Sequence, residues 1–106
     1  MPKYLIQGSY TPEGLKGLAK DKASGRKAAV QAGMKSVKGK LESMYFALGS
    51  DDVVVIVDAP DNIAIAAVSL SARAAGLVNI RTTALLTVQE VDQALALPAK
   101  LRAPGE

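Results

Sequence analysis

The chain has 106 residues, of which 49% are hydrophobic and 22% are charged. These proportions are typical of one small globular domain. The sequence contains neither cysteine nor histidine. Their absence excludes disulfides, thiolate and histidine metal sites, histidine-ligated haem and catalytic triads that need histidine. We therefore expect a protein without a metal ion and without a cofactor.

The net charge of +3 is unevenly distributed along the chain. Residues 1–40 carry nine Lys or Arg and two acids, a net charge of +7, and the remainder sums to −4. Such a segment either attracts a polyanion or forms the solvated face of a helix. We favour the solvated face, because no aromatic residue lies between residues 16 and 40 to stack on a base.

The chain shows no feature of export or of a membrane span. Its first residues lack the basic segment and apolar core of an export signal. Its apolar runs are far shorter than the roughly 20 residues that a spanning helix needs. We expect a cytoplasmic protein with no membrane partner.

Alternating side chains predict a first strand over residues 3–10. Thr11 as N-cap and Pro12 at the first helical position predict that a helix follows. Glycines weaken this helix, so we expect a break near residues 21–23 and a restart at Ser24. The second half has apolar side chains at helical spacing and Gly39 as its C′ residue. These side chains are Val30, Met34 and Val37.

Two further strands are predicted over residues 40–48 and 52–58. The second contains a β-branched run, Val53 to Val57, which is typical of a strand covered on both faces. Asp61 or Asn62 then caps a helix that ends at Gly76. The sheet-facing side chains expected from helical spacing are Ile63, Ala66, Ala67, Leu70 and Ala74.

A fourth strand is predicted over residues 78–86, and Thr87 with Glu90 forms a capping box. The helix that this box begins carries Val88, Val91 and Leu95 on one side. The order β-α-β-β-α-β predicts an α+β, ferredoxin-like fold, one antiparallel sheet backed by two helices, with an extra C-terminal helix. We expect one domain over residues 1–97 and a flexible tail over residues 98–106.

Two helices cover only one face of a four-stranded sheet. By alternation, the other face is expected to include Leu5, Met44, Phe46 and either Val54 or Val55. This face is too apolar to remain in water. We therefore expect a homodimer in which a second copy of the sheet covers it.

Three separated segments carry a resemblance to a known family. They are Pro2-Lys3-Tyr4 with Ser9 to Gly14, Gly49 to Asp61, and Arg81-Thr82-Thr83 with Leu85-Leu86-Thr87. In these segments, and over about residues 2–96, the chain resembles the GYD domain family. The resemblance implies a dimeric α/β barrel related to the ferredoxin-like fold, and it implies no particular reaction.

The turn of the second segment departs from the family pattern. That turn usually reads Gly, one variable residue, then Tyr-Asp, whereas here Asp51 stands at the Tyr position and Asp52 at the Asp position. The residues Gly49, Asp51 and Asp52 either bind a cation or form a structural turn. We favour the turn, with a positive φ at Gly49 and Asp accepting backbone N–H groups.

Four residues are candidates for a ligand pocket. Tyr4, Tyr10 and Tyr45 offer phenolic hydroxyls, and Arg81 offers an anion anchor. Arg81 belongs to a polar cluster expected on the uncovered sheet face. Its partner is a ligand carboxylate or a protein carboxylate such as Glu42, and we favour the protein carboxylate because buried charges are usually matched. The other members of the cluster are Gln7, Ser9 and Thr83.

We expect a domain that binds a small organic molecule. The alternatives are a non-catalytic assembly or regulatory module and, by analogy of fold, a cofactor-independent monooxygenase or isomerase. Whether the chain is an enzyme stays open. Nucleic-acid binding is not expected, because residues 52–57 lack the stacking aromatics of RNA-recognition motifs. A structure with no cavity above ~300 Å³, and with Arg81 paired to a protein carboxylate, favours the assembly module.

Overall fold

The computed structural model describes residues 1–106, and its elements follow the predicted order. They are β1 (Lys3–Tyr10), α1 (Pro12–Ser36), β2 (Lys40–Phe46), β3 (Val53–Asp58), α2 (Asn62–Ala74), β4 (Val78–Leu85) and α3 (Val88–Ala96). Each predicted strand is confirmed, with its ends within two residues of those expected. The α+β, ferredoxin-like order is therefore confirmed.

The four strands form one antiparallel sheet in the order β2-β3-β1-β4. The helices α1 and α2 pack on one face, here called the helix face, with α1 against β1 and β2 and α2 against β4. The buried core lies between these layers and consists of Tyr4, Met34, Val53, Val55, Val57, Ala59 and Ile65. None of the helices combines the length and the apolarity needed to cross a membrane.

The predicted helix starts are confirmed by their caps. Thr11 accepts a hydrogen bond from the Gly14 N–H at 3.1 Å, and Asp61, rather than Asn62, caps α2 by accepting from Ala64. Thr87 and Glu90 form the capping box of α3. The N–H of Thr87 donates to Glu90 and holds the pKa of that carboxyl below its ordinary value. Local sequence therefore sets where each helix begins.

The expected break in α1 is confirmed and lies at Lys22. This residue has φ 67° and ψ 164°, a region that only glycine adopts readily. The prediction for Gly39 is wrong, because α1 ends at Ser36 and Lys38 takes the left-handed conformation, with φ 63°. Gly39 is needed for close packing instead, since a Cβ there would lie 2.6 Å from the Asp58 carbonyl oxygen.

The faces of β2 differ from those expected. Met44 pairs with Val55 and Phe46 with Val53, so both lie on the helix face with the buried valines. A bulge between Leu41 and Ser43 adds one residue to the strand, and such an insertion reverses which face each side chain takes. The opposite, uncovered surface, here called the open face, carries Val54 rather than Val55. Its other apolar members are Leu5, Tyr45, Ile56 and Leu85.

The face of α2 that contacts the sheet also differs from the prediction. Ile65 is buried, and Val68 packs against the core on the same side. The predicted stripe faces solvent, with Ile63 80% and Leu70 64% exposed. The members of this stripe are Ile63, Ala66, Ala67, Leu70 and Ala74. Because α2 is apolar around most of its circumference, helical spacing does not select one side.

The strain at Lys22 gives the first prediction. Lys22→Gly should raise the free energy of unfolding by about 1 kcal/mol, because removing a strain of roughly 1–3 kcal/mol outweighs the entropy cost of glycine. Lys20→Gly is the matched control at an exposed helical position, and it should lower that free energy by about 0.5–1 kcal/mol. Denaturant unfolding at one protein concentration measures both. Equal destabilisation by the two variants would contradict the strained geometry.

Candidate functional site

A cleft runs between α1 and α2 above the middle of the sheet. Its central cavity has a volume of about 100 Å³, and its floor is formed by β1, β3 and β4. A second cavity of about 170 Å³ adjoins it beside the first half of α1. The two cavities share Tyr10, Arg26, Ala72 and Val78. A third, of about 220 Å³, adjoins the central cavity at Val68.

The central cavity is apolar except at one residue. Eleven of its twelve lining residues are hydrophobic, and the exception is Arg26. Arg26 is half-buried, and no carboxylate lies within 4.0 Å of its guanidinium. Arg26 is not among the residues predicted from the sequence to line a pocket. The available signal was its position four residues before Val30, which places a charge on the apolar face of α1.

The predicted pocket residues lie on opposite faces of the sheet. Tyr4 is 3% exposed, and its hydroxyl donates to Oδ1 of Asn62 at 2.6 Å. Tyr10 lines the central cavity. Tyr45, 71% exposed, and Arg81 lie on the open face. The structure therefore does not bring the four residues into one pocket.

Arg81 is paired within the chain. Its Nη2 donates to Oδ2 of Asp51 at 2.6 Å, and the Arg81 side chain is 67% exposed. The partner is thus a protein carboxylate, as favoured, but it is Asp51 rather than Glu42. Of the predicted polar cluster, Gln7, Ser9, Arg81 and Thr83 share the open face. Glu42 lies apart from them and pairs with Lys3.

Lys3 of β1 contacts both β2 and β3 through its ammonium group. Its Nζ donates to Oδ1 of Asp58 at 2.9 Å and to Oε1 of Glu42 at 2.5 Å. The hydrogen bonds that Lys3 donates to Asp58 and, next in size of effect, to Glu42 raise its pKa above the ordinary value. The residue therefore stays a cation at neutral pH, and it serves as an ion-pair partner rather than as a proton acceptor.

The turn between β2 and β3 is tied to its neighbours by hydrogen bonds. Oδ2 of Asp52 accepts from the backbone N–H of Tyr10 at 2.9 Å, and the Asp52 N–H donates to the Gly8 carbonyl at 2.7 Å. The expected positive φ at Gly49 is not present, because Gly76 and Gly105 are the only glycines with positive φ. Asp52 therefore fastens β1 to the start of β3. No group of three metal-ligating side chains lies in the chain.

The cations of α1 outside the cleft lie in solvent. All of its lysines are exposed, and none forms an ion pair with a carboxylate. These residues are Lys16, Lys20, Lys22, Lys27 and Lys35. The lysines of α1 thus form a solvated helix face, and no carboxylate of the chain pairs with them. Arg26 is distinguished from these lysines by its place in the cleft wall.

An antiparallel sheet in the order β2-β3-β1-β4, with two helices on one face, defines the chain as an α+β domain of the ferredoxin-like class. The GYD domain family model matches residues 4–95, and the chain belongs to this family. No curated protein and no solved structure matches the chain. The activity must therefore be argued from the site itself.

The hydrogen bonds of the turn give the second prediction. Asp52→Ala should lower the free energy of unfolding by about 1–2 kcal/mol, because the half-buried N–H of Tyr10 loses a charged acceptor. Asp51→Ala is the matched control, and it should cost about 0–1 kcal/mol because its ion pair with Arg81 is exposed. Denaturant unfolding measures both. A larger loss of unfolding free energy in Asp51→Ala than in Asp52→Ala would contradict the structural role given to Asp52.

Proposed function

We propose that this chain is a self-associating module that forms a homodimer through its open face. The observation that carries the proposal is the exposed area of a single chain. That area is 7570 Å², whereas a compact monomer of 11.0 kDa exposes about 5,600 Å². The excess of about 2,000 Å² per chain, to which the exposed α3 and the C-terminal residues contribute, lies within the range that an obligate dimer interface removes from water.

The size of the core supports the same proposal. Nine of 106 residues are buried, and the radius of gyration is 16.8 Å, against about 13 Å for a compact chain of this length. The cavities are each smaller than ~300 Å³, and Arg81 is paired with Asp51. These are the conditions under which an assembly module is favoured over a domain built around a large pocket.

The open face is the surface that we assign to the dimer. It places Val54 and Ile56 of the central strand beside Leu5, within a sheet that the chain's own helices do not cover on this side. The helix α3 offers a further apolar surface, because Val88, Val91 and Leu95 are exposed on one side of it. A helix of nine residues is marginal alone in water, so α3 gains from packing on the second copy.

A second candidate function, the binding of a small molecule, is favoured by the apolar cleft between α1 and α2. The cleft lies on the helix face, so a dimer through the open face leaves it accessible. An engineered cavity of about 150 Å³ binds benzene, and the central and second cavities, of about 100 and 170 Å³, bracket that volume. The cleft therefore suits a compact ligand. We propose binding rather than catalysis, because no hydrogen bond or ion pair joins the polar side chains of its lining.

The dimer proposal predicts a species of twice 11.0 kDa in sedimentation at micromolar concentration. Val54→Asp should disrupt assembly and folding together, because it places a charge at the centre of the open face. Leu70→Asp is the matched control on the exposed stripe of α2, and it should leave the dimer intact. A monomeric wild type would refute the proposal. Loss of the dimer in Leu70→Asp, with Val54→Asp still dimeric, would move the interface to α2.

The ligand proposal predicts that toluene, a neutral apolar probe, enters the cleft. Toluene should shift the methyl NMR resonances of Val30, Val68 and Ile80, which line the central cavity, and leave those of Val54 unchanged. Ala72→Leu should abolish these shifts, because Ala72 stands where the two cavities meet. The absence of shifts in the folded wild-type protein would refute ligand binding in the cleft.

A further inference from the structure

We infer that the cleft takes a small organic anion, a carboxylate with a compact apolar body, and that Arg26 is its anchor. The inference rests on the ligand-binding function proposed for the cleft, and it adds the chemical class of the ligand. It also replaces Arg81, the anchor expected from the sequence, with a residue on the other face of the sheet.

The position of Arg26 carries the inference. It is the one residue of the central cavity that is not hydrophobic, and it also lines the second cavity. An apolar body in the central cavity would contact Val30, Met34 and Val55. Its carboxylate would then lie at the junction of the cavities, where a guanidinium can donate two parallel hydrogen bonds. A neutral ligand would leave this donor unmatched.

The electrostatic surroundings favour an anion at this junction. Arg26 has no protein carboxylate within 4.0 Å, whereas the exposed arginine Arg81 has one. The kink at Lys22 restarts α1 one turn before Arg26, so the positive end of the second helical segment lies at the same place. Asp21, which lines the second cavity, is the opposing charge in the cleft.

The volumes set the size of the anion. Cavities of about 100 and 170 Å³ match a single ring or a short branched chain, since about 150 Å³ holds benzene. Long-chain acids and nucleotides exceed this space. Benzoate is therefore the probe of choice, and benzyl alcohol is its neutral counterpart of nearly the same shape.

The test is a titration at neutral pH, followed by the methyl NMR resonances of Val30, Val68 and Ile80. Benzoate should bind about tenfold more tightly than benzyl alcohol, as expected for a hydrogen-bonded charge pair against a neutral one. Arg26→Met keeps an apolar stem and should remove this preference. Lys27→Met removes the same charge from the adjacent exposed position and should keep the preference.

The outcomes separate this inference from the function on which it rests. If toluene and both ring probes bind with equal affinity, ligand binding in the cleft stands and the anion class is overturned. If no probe moves the cleft resonances, both fail. If Lys27→Met weakens benzoate binding as much as Arg26→Met does, the preference belongs to the general charge of α1, and the role of Arg26 is overturned.

A variant of Asp21 tests the same geometry with the opposite sign. Asp21→Asn removes the carboxylate that lines the cleft beside Arg26, so benzoate should bind more tightly while the affinity for benzyl alcohol stays the same. Unchanged or weaker binding of benzoate in this variant would place its carboxylate away from the junction and overturn the inference.

Discussion

The pairing of β3 with β1 and β2 is the interaction on which the rest of the structure depends. β3 occupies an interior position in the sheet and presents apolar side chains on both sides. Val53, Val55 and Val57 form the centre of the core, whereas Val54 and Ile56 face away from the helices. A strand of this kind is stable only when both faces are covered. The chain provides helices for one face, and the other face is the one that we propose a second copy covers.

The cleft follows from how α1 is fastened to the sheet. At its start, a Cβ on Gly14 would lie 2.0 Å from the Leu77 carbonyl oxygen, so only glycine permits this approach. At its end, Gly39 permits a similar approach to Asp58. Between these two points the helix kinks at Lys22 and packs on β1 and β2, whereas α2 packs on β4. The space left between the helices is lined by the apolar stripe of α1, and Arg26 lies on that stripe.

Local signals in the sequence predict local structure well in this chain. The N-caps Thr11 and Thr87, the break near Lys22 and the strand boundaries all depend on neighbouring residues, and all are confirmed. The face of α2 was predicted wrongly, because Ile63 and Ile65 are equally apolar and only the tertiary packing buries Ile65. The faces of β2 depend on a bulge that has no local signal in the sequence.

The candidate site was predicted less well than the fold, for a related reason. Tyr10 lines the central cavity, whereas Tyr45 and Arg81 lie across the sheet from it. A ligand site needs residues that the fold brings together from several elements, and alternation along single strands does not specify which of them meet. The sequence places Arg26 on the apolar face of a basic helix, but the role proposed for it depends on the cleft that the packing creates.

The two aspartates of the turn between β2 and β3 have different partners. Asp52 holds the Asp position of the family turn and links β1 to the start of β3. Asp51 holds the position that is usually Tyr, and it pairs with Arg81 on the open face. The first interaction is made with the backbone at the end of β1, and the second lies on the open face. The helix face keeps Arg26 without a protein partner, in a cleft that a dimer through the open face does not cover. The proposed self-association and the proposed ligand binding therefore use opposite sides of one sheet, so that a variant of Arg26 tests ligand binding without altering the proposed interface.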